Sequence, residues 1–111
     1  MQEKLLPIVV RTVDSYRRIF GDALVQVILY GSYARGDYDN ESDIDIVALV
    51  NCDRATISDK AYEMASFASD LDIAYGIMVS PSAIPYDEFI LYKSDLPYYA
   101  AIEREGVKLI A

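Results

Sequence analysis

The sequence predicts an α/β fold, a small mixed β-sheet flanked by helices. Stretches whose apolar residues recur at helical spacing alternate with short apolar runs rich in β-branched residues, which is the order that lays helices over a sheet. Gly or Pro stands at several of the expected starts and stops. Hydrophobic residues make up 53% of the 111 positions and charged residues 25%, a globular composition. A chain of this length is expected to form one domain, residues 1–111, and to bury about two-thirds of its unfolded surface.

Taken in order, residues 3–20 carry Leu5, Ile8, Val9, Val13, Tyr16 and Phe20 at helical spacing, with Arg11, Asp14, Arg17 and Arg18 elsewhere. Pro7 fits only a first turn, so the regular helix should begin near Leu6, and Gly21 should stop it. Residues 23–30 (ALVQVILY) read as a buried strand. Gly31-Ser32 follows, and Tyr33-Ala34-Arg35-Gly36 could open a helical turn. An acidic loop over 36–42 leads into a strand over 43–51. Ile44, Ile46, Ala48 and Val50 lie on one of its faces, Asp43, Asp45, Val47 and Leu49 on the other. Residues 54–69 read as a helix with Ile57, Ala61, Met64, Ala65 and Ala68 inward, capped by Thr56 or Ser58. Residues 71–79 (LDIAYGIMV) read as a third strand, closed by Ser80-Pro81. Two short helices are expected over 87–92 and 97–105, the second between Pro97 and Gly106. Residues 107–110 could form an edge strand.

Composition excludes several functions. A net charge of -8 repels a phosphate backbone, so tight nonspecific nucleic-acid binding is not expected. There is no histidine, which removes His-based acid/base catalysis, Ser-His-Asp triads and almost every zinc site. Metal chemistry must then use oxygen ligands, favouring Mg2+, Mn2+ or Ca2+. The one cysteine, Cys52, cannot form an internal disulfide, which makes a reduced cytoplasm the default expectation. No apolar run reaches the ~18 residues of a spanning helix, and MQEKLL lacks a signal peptide's features, so no membrane segment is expected.

Residues 30–50 carry the chemistry. Asp43 and Asp45 alternate on one strand face, about 6.6 Å apart along the chain. Paired carboxylates repel each other and cost desolvation, so a fold tolerates them at a wet sheet edge or around a cation. One or two Mg2+ ions, ~3.5–4 Å apart where there are two, could be held there against a triphosphate. Gly31 permits a close backbone approach, and the N–H groups of a following helical turn, with the Ser32 hydroxyl, suit an anion. Arg35 could reach the triphosphate or pair with an acidic loop residue. Ser42 could bond a phosphate or cap the loop turn. Singly, each is an ordinary feature of turns and strand edges; the combination is what points to a nucleotide.

The stretch GSYARGDYDNESDIDIVALV resembles the core motif of the nucleotidyltransferase (DNA polymerase β-like) superfamily, and in particular its minimal, single-domain members. That resemblance implies a polymerase β palm-like core and Mg2+-dependent transfer of a nucleoside monophosphate, AMP from ATP or another NTP, with release of pyrophosphate. It carries Gly31 and Ser32 over as triphosphate-binding and Asp43 and Asp45 as metal ligands. Tyr33 stands where many members have Arg. Members commonly add a third carboxylate, metal ligand and general base, from the next strand; Asp72 is the acid available in 71–79, although Ala74, Gly76 or Met78 could hold that position instead. Minimal members commonly pair with a small helical HEPN-family protein as a toxin–antitoxin couple, modifying it or neutralising it by contact. A small hydroxylated acceptor is a further reading, and the oligomeric state stays open, a homo-oligomer included. Tyr86, Phe89, Tyr92, Tyr98 and Tyr99 crowd the C-terminal third as either interface or core.

Overall fold

The computed structural model describes residues 3–110. After a short 3-10 turn, α1 (Leu6–Phe20) buries Ile8, Val9, Thr12, Ser15, Tyr16 and Phe20 along one stripe. The hydroxyls of Thr12 and Ser15 are satisfied within the helix, donating to the carbonyls of Ile8 and Arg11 at 2.8 Å each. The strands are β1 (Leu24–Tyr30), β2 (Ile44–Val50), β3 (Val79–Pro85) and β4 (Val107–Lys108), in the order β3-β2-β1-β4. β1 runs antiparallel to β2 and β4, and β2 runs parallel to β3, so the sheet is mixed as expected.

The two faces of β2 divide the core. Ile44, Ile46, Ala48 and Val50 pack with Tyr16, Phe20, Met64, Phe67 and Leu71, beneath α1 and α4 (Ala61–Tyr75). Val47 and Leu49 pack with Ile28, Ile84, Phe89, Tyr99 and Ile102, beneath α5 (Tyr86–Tyr92) and α6 (Pro97–Glu105). The alternation read from residues 43–51 is thus realised, and the acids belong to the α5–α6 side. At the far edge, pairing continues past β4. Leu109 N–H donates to Val27 O at 2.8 Å, and the Gln26 side chain accepts from Ile110 N–H and donates to Ile110 O.

Two expectations are corrected. Residues 54–69 are not one helix: α3 (Arg54–Asp59) ends at Lys60 and α4 continues to Tyr75. The cap is Asp53, whose carboxylate accepts from Thr56 N–H at 2.9 Å and from its hydroxyl at 2.7 Å. Met64, Phe67 and Leu71 form the buried stripe of α4, while Ala61 and Ala65 face solvent.

The larger correction concerns the third strand, which is not at 71–79. Leu-Asp-Ile-Ala-Tyr prolongs α4, because Leu71 extends the Met64–Phe67 stripe at helical spacing. Gly76, left-handed at φ 70°, ends the helix with its N–H on Asp72 O at 2.7 Å. The strand is VSPSAIP. Ser80-Pro81 reads as the close of a strand, yet among the described strands β3 pairs with β2 alone, and an edge strand tolerates missing donors.

Candidate active site

Every feature of the site follows from how β1 ends. Gly31 has φ 75° and ψ -157°, a region essentially reserved for glycine. A Cβ there would collide with the Asp45 carboxylate, so the turn lies flush against the strand acid. The chain then makes one helical turn, α2 (Ser32–Arg35), in which Arg35 N–H donates to Gly31 O at 3.0 Å and Gly36 N–H to Ser32 O at 2.9 Å. The N–H groups of Ser32 and Tyr33 precede the turn's first donor, Ala34, the arrangement that receives an anion.

Asp43 and Asp45 stand on the same side of β2. Pairing of Asp45 with Ser80 and of Val47 with Ser82 puts both serines on that side too. Ser80 Oγ donates to Asp43 Oδ2 at 3.1 Å. Burial pushes the Asp45 carboxyl above the usual carboxylate range, the nearby Asp43 charge adds to this, and Arg35 opposes it. Two acids that form no salt bridge among the described residues fit a divalent metal by charge and by donor type. Among the described residues no group of three His, Cys, Asp or Glu is placed to hold one, so the ion would rest on these two and on ligand oxygens.

Because the folded-state pKa of Asp45 is raised, its linkage contribution to stability is present at low pH and is lost as pH rises through that pKa. Asp45→Asn is therefore expected to raise the melting temperature at pH 7. At pH 3, where both forms are neutral, the gain should vanish. Melting curves at the two pH values check this, and an equal or lower melting temperature at pH 7 would refute it.

The remaining candidates separate. Arg35 is engaged by Asp37 (Nε to Oδ2, 3.1 Å) and by Glu105 (Nη1 to Oε2, 3.1 Å), which ties α2 to the end of α6. Ser42 caps the loop: its hydroxyl donates to Asp39 Oδ1 at 3.3 Å and accepts from Asp39 N–H at 3.0 Å. Asp72 is exposed on α4, the helix that packs on the Ile44–Ile46 face, and the fold does not bring it to Asp43 and Asp45. Tyr33 stacks on Tyr38, centroids 4.3 Å apart, and both line a 460 Å³ cavity beside α2 with Leu5, Leu29, Arg35 and Val107; neither strand acid lines it.

Sequence reasoning missed Ser80 because its strand was misplaced. It also missed Tyr30, whose hydroxyl pairs with that of Tyr98 at 2.7 Å and whose phenol burial holds well above its ordinary pKa. Of the C-terminal aromatics, Phe89 and Tyr99 are core while Tyr92 and Tyr98 remain exposed.

A glycine turn flush against a strand acid, where the two central strands of a mixed sheet with helices on both faces meet, fits a nucleotidyltransferase core. The chain belongs to the nucleotidyltransferase domain family, whose model matches residues 10–94. It is 38% identical over 93 residues to "Putative protein adenylyltransferase MJ0141" of Methanocaldococcus jannaschii, covering 82% of this chain and 84% of that one. It is 28% identical over 94 residues to "Putative protein adenylyltransferase MJ0604" of the same organism, covering 85% and 86%. In fold it is similar to a crystallised toxin-antitoxin with AMP-PNP (TM-score 0.60, 20% identity, 93% of this chain and 73% of that one). A mutant of the toxin-antitoxin MntA-HpeT gives a TM-score of 0.58 at 18% identity, with the same coverage. The protein is a nucleotidyltransferase by family, and among the described residues no helix is long and apolar enough to cross a membrane.

Proposed function

We propose that the protein transfers AMP from ATP to a side chain of a partner protein in the cytoplasm, with Mg2+, and that the partner is the HEPN-family toxin of a toxin–antitoxin pair. The observation that supports this reading is the contact of the Gly31 turn with the Asp45 carboxylate, Asp43 lying on the same strand face. The names of the curated relatives and of the structural neighbours support the acceptor class.

In this reading the N–H groups of Ser32 and Tyr33, with the Ser32 hydroxyl, bind and orient the polyphosphate. Asp43 and Asp45 hold one or two Mg2+ ions, which supply charge neutralisation for the displaced pyrophosphate. Arg35 exchanges Asp37 or Glu105 for phosphate oxygens when nucleotide enters. Ser42 acts by shaping the loop that delivers Asp43, and Asp72 is given no part.

The test is transfer of label from α-labelled ATP with Mg2+ to the partner. Asp43→Ala with Asp45→Ala is expected to abolish labelling, and undiminished labelling by the double variant would discard the assignment. The second reading, a module that neutralises its partner by contact alone, is favoured by the lack of a third carboxylate beside Asp43 and Asp45 among the described residues. It expects the same double variant to bind and protect as well as the wild type.

A further inference from the structure

The strand beside the two acids presents an uncharged row. Reading along β3 on the carboxylate side, the residues are Ser80, Ser82 and then Ile84, which is buried under α5 and α6. Ser80 sits opposite Asp45 in the register and donates to Asp43 Oδ2 at 3.1 Å. The Ser82 hydroxyl turns to Ile46 O at 3.4 Å. Of the acids on the neighbouring helices, Glu88 is engaged by Arg54 and Tyr99, Glu103 by Lys93 and Glu105 by Arg35, while Asp87 lines a cavity at the other end of β2 with Val50, Asn51 and Asp53.

We propose that Ser80 is a positioning residue that makes this a one-ion site: its hydroxyl locks one oxygen of Asp43 so that the other faces a single divalent cation shared with Asp45. The proposal rests on the reading that Asp43 and Asp45 hold a cation.

A carboxylate free to rotate loses entropy when it ligates, whereas one already fixed by an outer hydrogen bond does not. Oδ2 accepts from Ser80, so Oδ1 would be the oxygen better placed to take the ion. A hydroxyl at this place also adds no third negative charge to a pair that already repels. A second divalent ion would need a protein carboxylate beyond the two that, with the nucleotide's own oxygens, would hold the first, and β3 offers none on this side. The same position therefore strengthens the first ion's site and withholds a second.

The experiment is a Mn2+ titration of the full chain with AMP-PNP, reading free Mn2+ by electron paramagnetic resonance, with melting curves to confirm folding. One Mn2+ per chain is expected for the wild type. Ser80→Ala should weaken that binding about tenfold, the range for loss of an outer hydrogen bond to a metal ligand. Ser80→Thr, which keeps the hydroxyl, should restore it. Ser80→Asp should raise the count to two. Two ions on the wild type, unchanged affinity in Ser80→Ala, or a single ion on Ser80→Asp would each overturn the proposal; should Ser80→Ala not fold, the wild-type and Ser80→Asp counts decide. Failure of the parent reading looks different: Asp43→Ala with Asp45→Ala would then leave Mn2+ binding intact.

Discussion

Gly31→Ala is expected to destabilise the protein and to remove labelling of the partner. Any L side chain at φ 75° and ψ -157° sits in a region that costs about 1–3 kcal/mol. For a chain of this size that lowers the melting temperature by roughly 5–15 °C. The activity loss has a separate cause. The new Cβ meets the Asp45 carboxylate, so either the turn lifts off the strand or Asp45 rotates away. Both outcomes separate the N–H groups proposed to receive phosphate from the acids, and displacements of about 1 Å cost on the order of 100-fold in rate. A double-mutant cycle distinguishes the two terms. Asp45→Ala relieves the collision but not the backbone strain, so Gly31→Ala should cost less stability in that background yet still cost something. Equal costs in both backgrounds would show that the turn and the acid are not in contact.

Tyr16→Phe is the second large effect, although it deletes one oxygen that bonds neither acid. Tyr16 is fully buried, edge-to-face with Phe67 at 5.3 Å. Its hydroxyl donates to Ser82 O at 2.8 Å and accepts from Ser82 N–H at 3.1 Å. The phenol of α1 thus satisfies both backbone groups of the β3 residue between Ser80 and Ile84 on the carboxylate side. Removing it leaves two partly buried backbone groups unpaired, at about 1–3 kcal/mol. Chemical denaturation should show that loss; a change below a few tenths of a kcal/mol would mean that Ser82 finds other partners.

The variant also has a pH signature. Burial drives the Tyr16 pKa far above the ordinary tyrosine value, with the Ser82 backbone bond opposing in part. A raised folded-state pKa means that the contribution is complete below about pH 10, the unfolded value, and is lost as pH climbs from there toward the folded one. Stability should fall above about pH 10 in the wild type and fall less steeply in Tyr16→Phe. Tyr30, raised in the same direction, leaves a residual slope.

How much of this was legible varied with the kind of signal. The faces of β2 were readable because alternation within seven residues is a local property, and both halves of it found a partner layer. The Gly-Ser turn and the paired acids were readable because their chemistry is local as well. Arg35 and Ser42 were identified as candidates, but not their partners: Glu105 lies 70 positions from Arg35, and no spacing rule connects them. Residues 71–79 misled because LDIAY suits a strand or a helix equally, and the choice fell to Met64 and Phe67, which give Leu71 a stripe to extend. Misplacing that strand is what turned attention to Asp72 and away from Ser80.

By itself the sequence determined the layered α/β plan, the family, and the two acids beside a glycine turn, since these rest on periodicity and short motifs carried by contiguous residues. Tertiary structure alone decided which residue of β3 faces the acids, which helix end holds Arg35, and how closely the turn approaches Asp45. Those depend on strand register and on packing between segments 35–70 residues apart, where the energy of a contact is set by what lies across from a residue and not by its neighbours in the chain.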